Sequence, residues 1–334
     1  MNYRSPVPKG PLKEDVIVDD YDTCCIVPRT MRADEPAEDT DALAGALRAY
    51  AAVGLHPQPK KTFIAEDNAD FWGATIQEEI GRVRAHREVT VRTLTLVLAI
   101  LKQRTVTPRV WVAVIGLVVY VSLYARPALS FLDAVFREAS SFAPGEVFVP
   151  SRRARAELGI WVAFVPFMSV DLRAEFDTRL FATDASSRSC AAVVAQLPEN
   201  LVRESWRHRP RRGVDQRYDE EIGGQVGVDA EVASDADSDG STEFCRSRWA
   251  ADLCRAVGWQ SVFRYTVCRS EHIVTKEARP ICTFIRRLAS KPREKGSRVL
   301  NFADSSSNVG AWAKGRSSSK RLVGICVRSL RTSF

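Results

Sequence analysis

The sequence predicts a mixed α+β chain, and three observations carry that expectation. Short runs rich in β-branched and aromatic residues end in aspartate near residues 19–20, 184 and 304. Between residues 78 and 139 apolar side chains recur instead at helical spacing, as in Val89, Leu94, Val97, Leu98 and Leu101. Composition is ordinary: 45% of the 334 residues are hydrophobic and 27% charged, which excludes a wholly disordered, collagenous or coiled-coil protein. At about 100–200 residues per domain, such a length divides into two or three domains.

Residues 1–14 are rich in Pro and Lys and read as irregular. Val16, Ile17 and Val18, followed by Asp19, Asp20 and Asp22, read as a buried strand with carboxylates at its tip. An acidic loop follows at 31–40, then an Ala- and Leu-rich helix at 41–52 stopped near Gly54. A turn with two prolines spans 56–61, and 62–72 is extended or turn-like. A helix is expected over 78–102. Thr107-Pro108 is a helix-start signal, an N-cap residue before proline at the first helical position. The helix it opens runs through 110–125, and a further amphipathic stretch reaches about residue 139.

The run 110–125 is apolar enough to raise the question of a membrane. Its 16 residues would span about 24 Å as a helix, against about 30 Å of hydrocarbon. Arg109 and Arg126 bracket it closely, so a buried core helix is the favoured reading and a membrane partner is not expected. Residues 140–180, with Trp161, Phe164 and Phe167, read as a connector holding one or two strands.

Residues 180–186 form the second strand, ending in Asp184. Residues 207–243 read as an inserted loop: a basic cluster, then ten acids and one Arg between Asp215 and Glu243. Asp235 to Gly240 matches the front of a calcium loop, but Arg246 stands where a bidentate Glu is required, so calcium is not expected. A helix-like segment runs to Leu253, a strand covers 262–267, and 271–288 reads as a helix in which Pro280 needs an explanation. Residues 299–304 give the third strand, 304–319 a Gly- and Ser-rich loop, and 321–330 a last amphipathic helix.

The formal net charge is +7, and the excess is unevenly placed. Between Arg286 and Arg331 twelve Lys or Arg face two acids, Glu294 and Asp304, a balance that suits a polyanion. None of the eight cysteines forms a CxxC, and the four histidines do not fall at zinc-finger spacing. The cysteines read as reduced, packing thiols of an intracellular protein without a signal peptide.

Acids at strand tips can hold divalent ions for phosphodiester chemistry, because hard Mg²⁺ prefers carboxylate oxygen and rigid elements fix its position. Singly, each such Asp is more often a turn former or helix cap. Their order is more informative. Ile17-Val18-Asp19-Asp20 resembles the Asp-Asp hairpin of a reverse transcriptase palm, with Ile17 in place of the usual aromatic. His56-Pro57-Gln58-Pro59-Lys60-Lys61 and Phe71-Trp72-Gly73 resemble the segments that lead into and begin the primer grip. Phe181-Ala182-Thr183-Asp184-Ala185-Ser186 resembles the first strand of ribonuclease H, and Glu271-His272-Ile273-Val274-Thr275-Lys276-Glu277-Ala278 its second-ligand helix. Asp304-Ser305 resembles its third acid, and Lys314-Gly315-Arg316-Ser317-Ser318-Ser319 a loop of DIRS-like and related retroelements.

The chain thus resembles the C-terminal part of a retroelement reverse transcriptase with its ribonuclease H domain. The resemblance implies a partial palm at 1–75, a helical thumb at 76–140, a connection at 141–178 and a ribonuclease H-like domain at 179–334 with a mixed five-stranded sheet. It implies catalytic Asp184, Glu277 and Asp304, metal ligands Asp19, Asp20, Asp184, Glu277 and Asp304, and Mg²⁺ or Mn²⁺ as cofactor. Lys60, Lys61, Trp72, Lys314, Arg316, Lys320 and Arg321 would contact an RNA–DNA hybrid. A polymerase needs a further Asp and fingers from before Met1, and a fourth ribonuclease H acid is missing after Asp304, so truncation at both ends, lost polymerase activity and weak hydrolysis are the expectation. The alternatives are a catalytically dead nucleic-acid-binding remnant and a single-pass membrane protein.

Overall fold

A computed structural model describes residues 9–17, 20–28, 30–31, 35, 37–58, 68–77, 79–139, 146–207, 248–267, 270–291 and 296–330. It is an α+β fold. The acidic insertion and its basic cluster, and with them Asp19, Lys60 and Lys61, lie outside the described residues. The chain divides into two compact units, Met1–Ala69 and Asp70–Phe334.

In the first unit strands β1 (Leu12–Ile17) and β2 (Asp20–Cys25) pair antiparallel, with Ile17 opposite Asp20. The expected single acid-tipped strand is therefore divided between two, Ile17 closing β1 and Asp20 opening β2. Helix α1 (Glu38–Ala52) follows. Thr40 Oγ1 accepts the Ala37 amide at 3.1 Å, and Glu38, Asp39 and Asp41 put negative charge at the positive end of the helix dipole. Tyr21 meets Tyr50 edge-on at 6.5 Å.

Next along the chain comes a small sheet of order β3–β4–β5–β6, made of Asn68–Phe71, Ala74–Gln77, Arg82–Ala85 and Val170–Asp171. Strand β5 replaces the start of the helix expected from residue 78. Gly81, at φ 63°, ends the preceding turn, and Arg-Val-Arg-Ala then alternates with period two. Helix α2 begins only at Arg87 and runs to Lys102. Helix α3 (Pro108–Ser122) starts as its signal predicts, with Thr107 Oγ1 accepting the Val110 amide at 3.4 Å. A 3-10 segment, Leu123–Leu132, continues it past a non-helical Ala125 and past Pro127, and α4 (Asp133–Ala139) follows.

The stretch Pro108–Ala139 is long and apolar enough to cross a membrane by length and composition, and 39% of its most apolar window is buried. Trp111, Val114, Val118 and Val121 recur at helical spacing along the buried side of α3. They pack in one core with Val97, Leu132, Val135, Leu158 and Trp161.

Residues 152–164, expected in a connector, form helix α5. Ser151 caps it, its Oγ accepting the Ala154 amide at 3.1 Å. Ala154, Leu158, Trp161 and Val165 make a buried stripe at steps of three and four. The aromatic pattern obscured this stripe because Phe164 and Phe167 fall beside it. Buried Trp161 donates its Nε1 hydrogen to Ser122 Oγ at 2.9 Å, joining α5 to α3.

The larger sheet has the order β10–β7–β8–β9, from Arg298–Phe302, Phe176–Ala185, Ser189–Gln196 and Gln260–Thr266. Strands β7, β8 and β9 form an antiparallel meander, and β10 lies parallel to β7. Among the described residues this sheet has four strands, not the five the resemblance implied. Side chains alternate between its faces. Leu180 and Leu300 pack toward Trp206 and Leu253 of helices α6 (Glu199–Arg207) and α7 (Arg248–Ala256). Phe181, Ala192 and Phe263 pack toward Phe284 of helix α8 (Ile273–Ala289).

The expected loop at 304–319 instead contains helix α9 (Ser306–Lys314), and α10 (Lys320–Leu330) closes the described chain. Ala278, Cys282, Ala311, Leu322, Ile325 and Cys326 form the core shared by α8, α9 and α10. Serine-rich composition hides α9, whose Asn308 and Ala311 are buried. Pro280 sits well inside α8 and leaves the Lys276 carbonyl without its helical donor. The Cys190 thiol of β8 donates to that oxygen at 3.7 Å, which explains how the helix tolerates proline there.

Candidate functional site

The parallel pairing of β10 with β7 fixes where two of the predicted acids lie. Phe302 is level with Ala182, so Asp304 and Asp184, each two residues further along, stand at the same end of adjacent strands. Both are exposed. Asp184 Oδ1 accepts the Ala185 amide at 2.6 Å.

Glu277 is half-buried on α8, and Asn308 ties it to the same region. The Asn308 Nδ2 group lies 3.0 Å from the Val274 carbonyl, 2.9 Å from Ser305 Oγ and 3.5 Å from Glu277 Oε2. Fully buried, it joins α8 to the residue directly after Asp304, while its Oδ1 has no hydrogen-bond partner. The sequence reading missed Asn308; the one signal was a polar residue one turn beyond a strand-tip Asp.

Lys276 also braces this end of the sheet, donating from Nζ to the Ser187 carbonyl at 2.6 Å in the β7–β8 turn. Burial pushes the neighbouring Cys190 thiol up, and pushes Tyr265 on β9 up to about 12. These groups stay neutral at physiological pH, so they pack the site without adding charge.

The oxygen donors are chemically suited to Mg²⁺. Among the described residues, however, no group of three or more His, Cys, Asp or Glu side chains is gathered closely enough to hold one ion. Asp20 is described by its backbone only, at the start of β2.

Trp72 and Gly73 form the two-residue turn between β3 and β4, with φ of 47° and 74°. Two positive φ values suit the right-handed twist of a hairpin, but for Trp the left-handed conformation is strained. The turn is anchored where the Tyr120 hydroxyl and the His86 amide donate to the Gly73 carbonyl. Asp70 accepts from Thr75 Oγ1 and pairs with His86 Nε2 at 3.1 Å. Trp72 itself is 37% exposed.

Lys314 ends α9 and Gly315 reverses the chain at φ 70°. The Arg316 guanidinium lies 5.6 Å from the Phe136 ring centre, joining this loop to the helical part of the same unit. Lys320 and Arg321 begin α10 and are exposed. The α8–α10 side also brings in Arg279 and Arg328, which the sequence reading did not single out.

No protein-family model matches the chain, and no curated protein does. Among solved structures it is similar to a foamy viral protease-reverse transcriptase in complex with an RNA/DNA hybrid, at 10% identity and a TM-score of 0.40. That match covers 94% of this chain and 34% of the viral one, so the chain spans about a third of the viral protein's length.

Proposed function

We propose that this chain is part of a retroelement reverse transcriptase, and that its residual activity is metal-dependent hydrolysis of RNA in an RNA–DNA hybrid. One observation carries the reading: Asp184 and Asp304 occupy the same end of adjacent parallel strands, and Asn308 connects Glu277 to that end. Three carboxylates on rigid elements are the donor set that Mg²⁺ or Mn²⁺ takes for phosphodiester hydrolysis. The bound metal would lower the pKa of the attacking water and stabilise the leaving oxygen.

The chain's own residues set the geometry. Asp184 and Asp304 would face the scissile phosphate from the sheet, and Glu277 would approach from α8 with Asn308 restraining its carboxylate. Lys314, Arg316, Lys320 and Arg321 would hold phosphates, and Trp72 would offer a ring for base stacking. Asp19, Asp20, Lys60 and Lys61 belong to the polymerase part of the reading.

The test is cleavage of a labelled RNA–DNA hybrid by the purified chain in Mg²⁺ or Mn²⁺, with Asp184→Asn as control. Cleavage that vanishes in the variant supports the reading. Equal cleavage by the variant removes it. Hybrid binding without cleavage points to a catalytically dead remnant.

A further inference from the structure

A cleft of about 380 Å³ lies between α8 and α10, lined in part by Glu271, Thr275, Arg279, Lys320, Arg321 and Arg328. Its charge balance is one-sided. Glu271 is already engaged by Arg279 in a two-point pair, at 2.7 Å to Nε and 2.6 Å to Nη2. This pairing, the first cause of the raised Arg279 pKa, neutralises the cleft's acid. Among the described residues Lys320, Arg321 and Arg328 have no acidic partner within 4.0 Å. Three cations without an acidic partner among the described residues therefore face one small, polar space.

The backbone geometry keeps that space open. Arg321, Gly324 and Arg328 lie on one face of α10, at steps of three and four. Gly324 between the two arginines leaves the helix bare, and nothing lies within 4 Å of where its Cβ would be. Thr275 and Arg279 share one face of α8 at i and i+4, while Glu277 lies about 200° around the helix from both. The cleft and Glu277 are thus on opposite sides of α8. At the start of α10 Ser319 accepts the Leu322 amide through Oγ at 3.4 Å and the Val323 amide through its carbonyl at 3.0 Å.

We infer that this cleft is a phosphoryl-binding site. Arginine forks match phosphate oxygens in pairs, and three uncompensated positive charges suit a ligand with at least two negative ones. Two sources share that chemistry: a free polyphosphate, and consecutive phosphates of a polynucleotide. Assigning the site to a polynucleotide rests on the nucleic-acid reading above; the affinity for the oxyanion does not.

The experiment uses the full chain and two probes, pyrophosphate by calorimetry and a labelled RNA–DNA hybrid by anisotropy over a salt series. The test variants are Lys320→Gln/Arg321→Gln/Arg328→Gln and Gly324→Glu, which blocks the cleft by a single change. The control is Arg92→Gln/Arg104→Gln/Arg109→Gln, three exposed residues with the same loss of charge. Removing three phosphate contacts should flatten the slope of log K against log salt by about two to three. Loss of both ligands in the test variants alone assigns the cleft to the nucleic-acid backbone, and loss of pyrophosphate alone assigns it to a free anion. Unchanged binding of both ligands, or an equal loss in the control, overturns the inference. Cleft-dependent binding without cleavage by the parent chain overturns the hydrolytic proposal only; cleavage without cleft dependence overturns only this one.

Discussion

Replacement of Asn308 gives the sharpest check on how the acid-bearing elements are held. The side chain is fully buried, and its amide hydrogens serve Val274 O at 3.0 Å and Ser305 Oγ at 2.9 Å. Each neutral bond contributes about 1 kcal/mol net. Asn308→Ala loses both and leaves a small void, but it also removes the Oδ1 atom that lacks a partner, which offsets about 1 kcal/mol or more. The expected loss is about 1–2 kcal/mol. Asn308→Asp keeps the shape but removes the donors, and it sets a buried carboxylate beside Glu277. That change should cost about 3 kcal/mol or more at pH 7. Its cost should shrink in acid, where a protonated Asp regains one donor. Urea denaturation of the three proteins at pH 7 and pH 5 reads both effects. The reasoning fails if Asn308→Asp is as stable as the parent at pH 7, because the amide is then not needed as a donor.

Three further outcomes are expected. Gly315→Ala should destabilise by about 2 kcal/mol or more, since φ is 70° and an added Cβ would collide with the Arg126 carbonyl; thermal unfolding measures it. Pro280→Ala restores a donor for the Lys276 carbonyl, so it should make Cys190→Ala cheaper than in the parent, by about 0.5–1 kcal/mol in a double-mutant cycle. Burial alone would raise the Asp177 carboxyl, but the bonds from the Arg179 side chain and amide outweigh it and leave the pKa below its usual 3.8. A depressed folded-state pKa stabilises above the unfolded value and loses that stability as pH falls through the folded one. Asp177→Asn should therefore flatten the acid limb of a stability–pH curve below pH 3.8, and an unchanged limb would remove that ion pair from the account.

Some of this protein could be read from local rules. Thr107-Pro108 announced α3 because a cap and a fixed φ act within one turn. Runs 180–186 and 299–304 announced β7 and β10 because each is a short hydrophobic run that ends in an acid, and 321–330 announced α10 by its amphipathic spacing. The acids were legible as candidates for the same reason, since each closes or follows a local pattern.

Other features were settled at a distance. Arg82–Ala85 pairs with β4 and β6 instead of extending α2, because a neighbouring strand supplies the bonds that isolated propensity cannot. Helix α9 forms from a Ser- and Gly-rich segment because Asn308 and Ala311 find buried places against α8 and α10. Pro280 is tolerated because Cys190, 90 residues earlier, reaches the carbonyl it frees. The sequence by itself determined the mixed class of the fold and which residues carry charge at strand ends. Only the tertiary structure decided that Asp184 and Asp304 share one end of the sheet, that Glu277 is tied to it through Asn308, and that four cations line one cleft. Register between distant strands and the facing of two helices depend on long-range burial, which no local window of residues encodes.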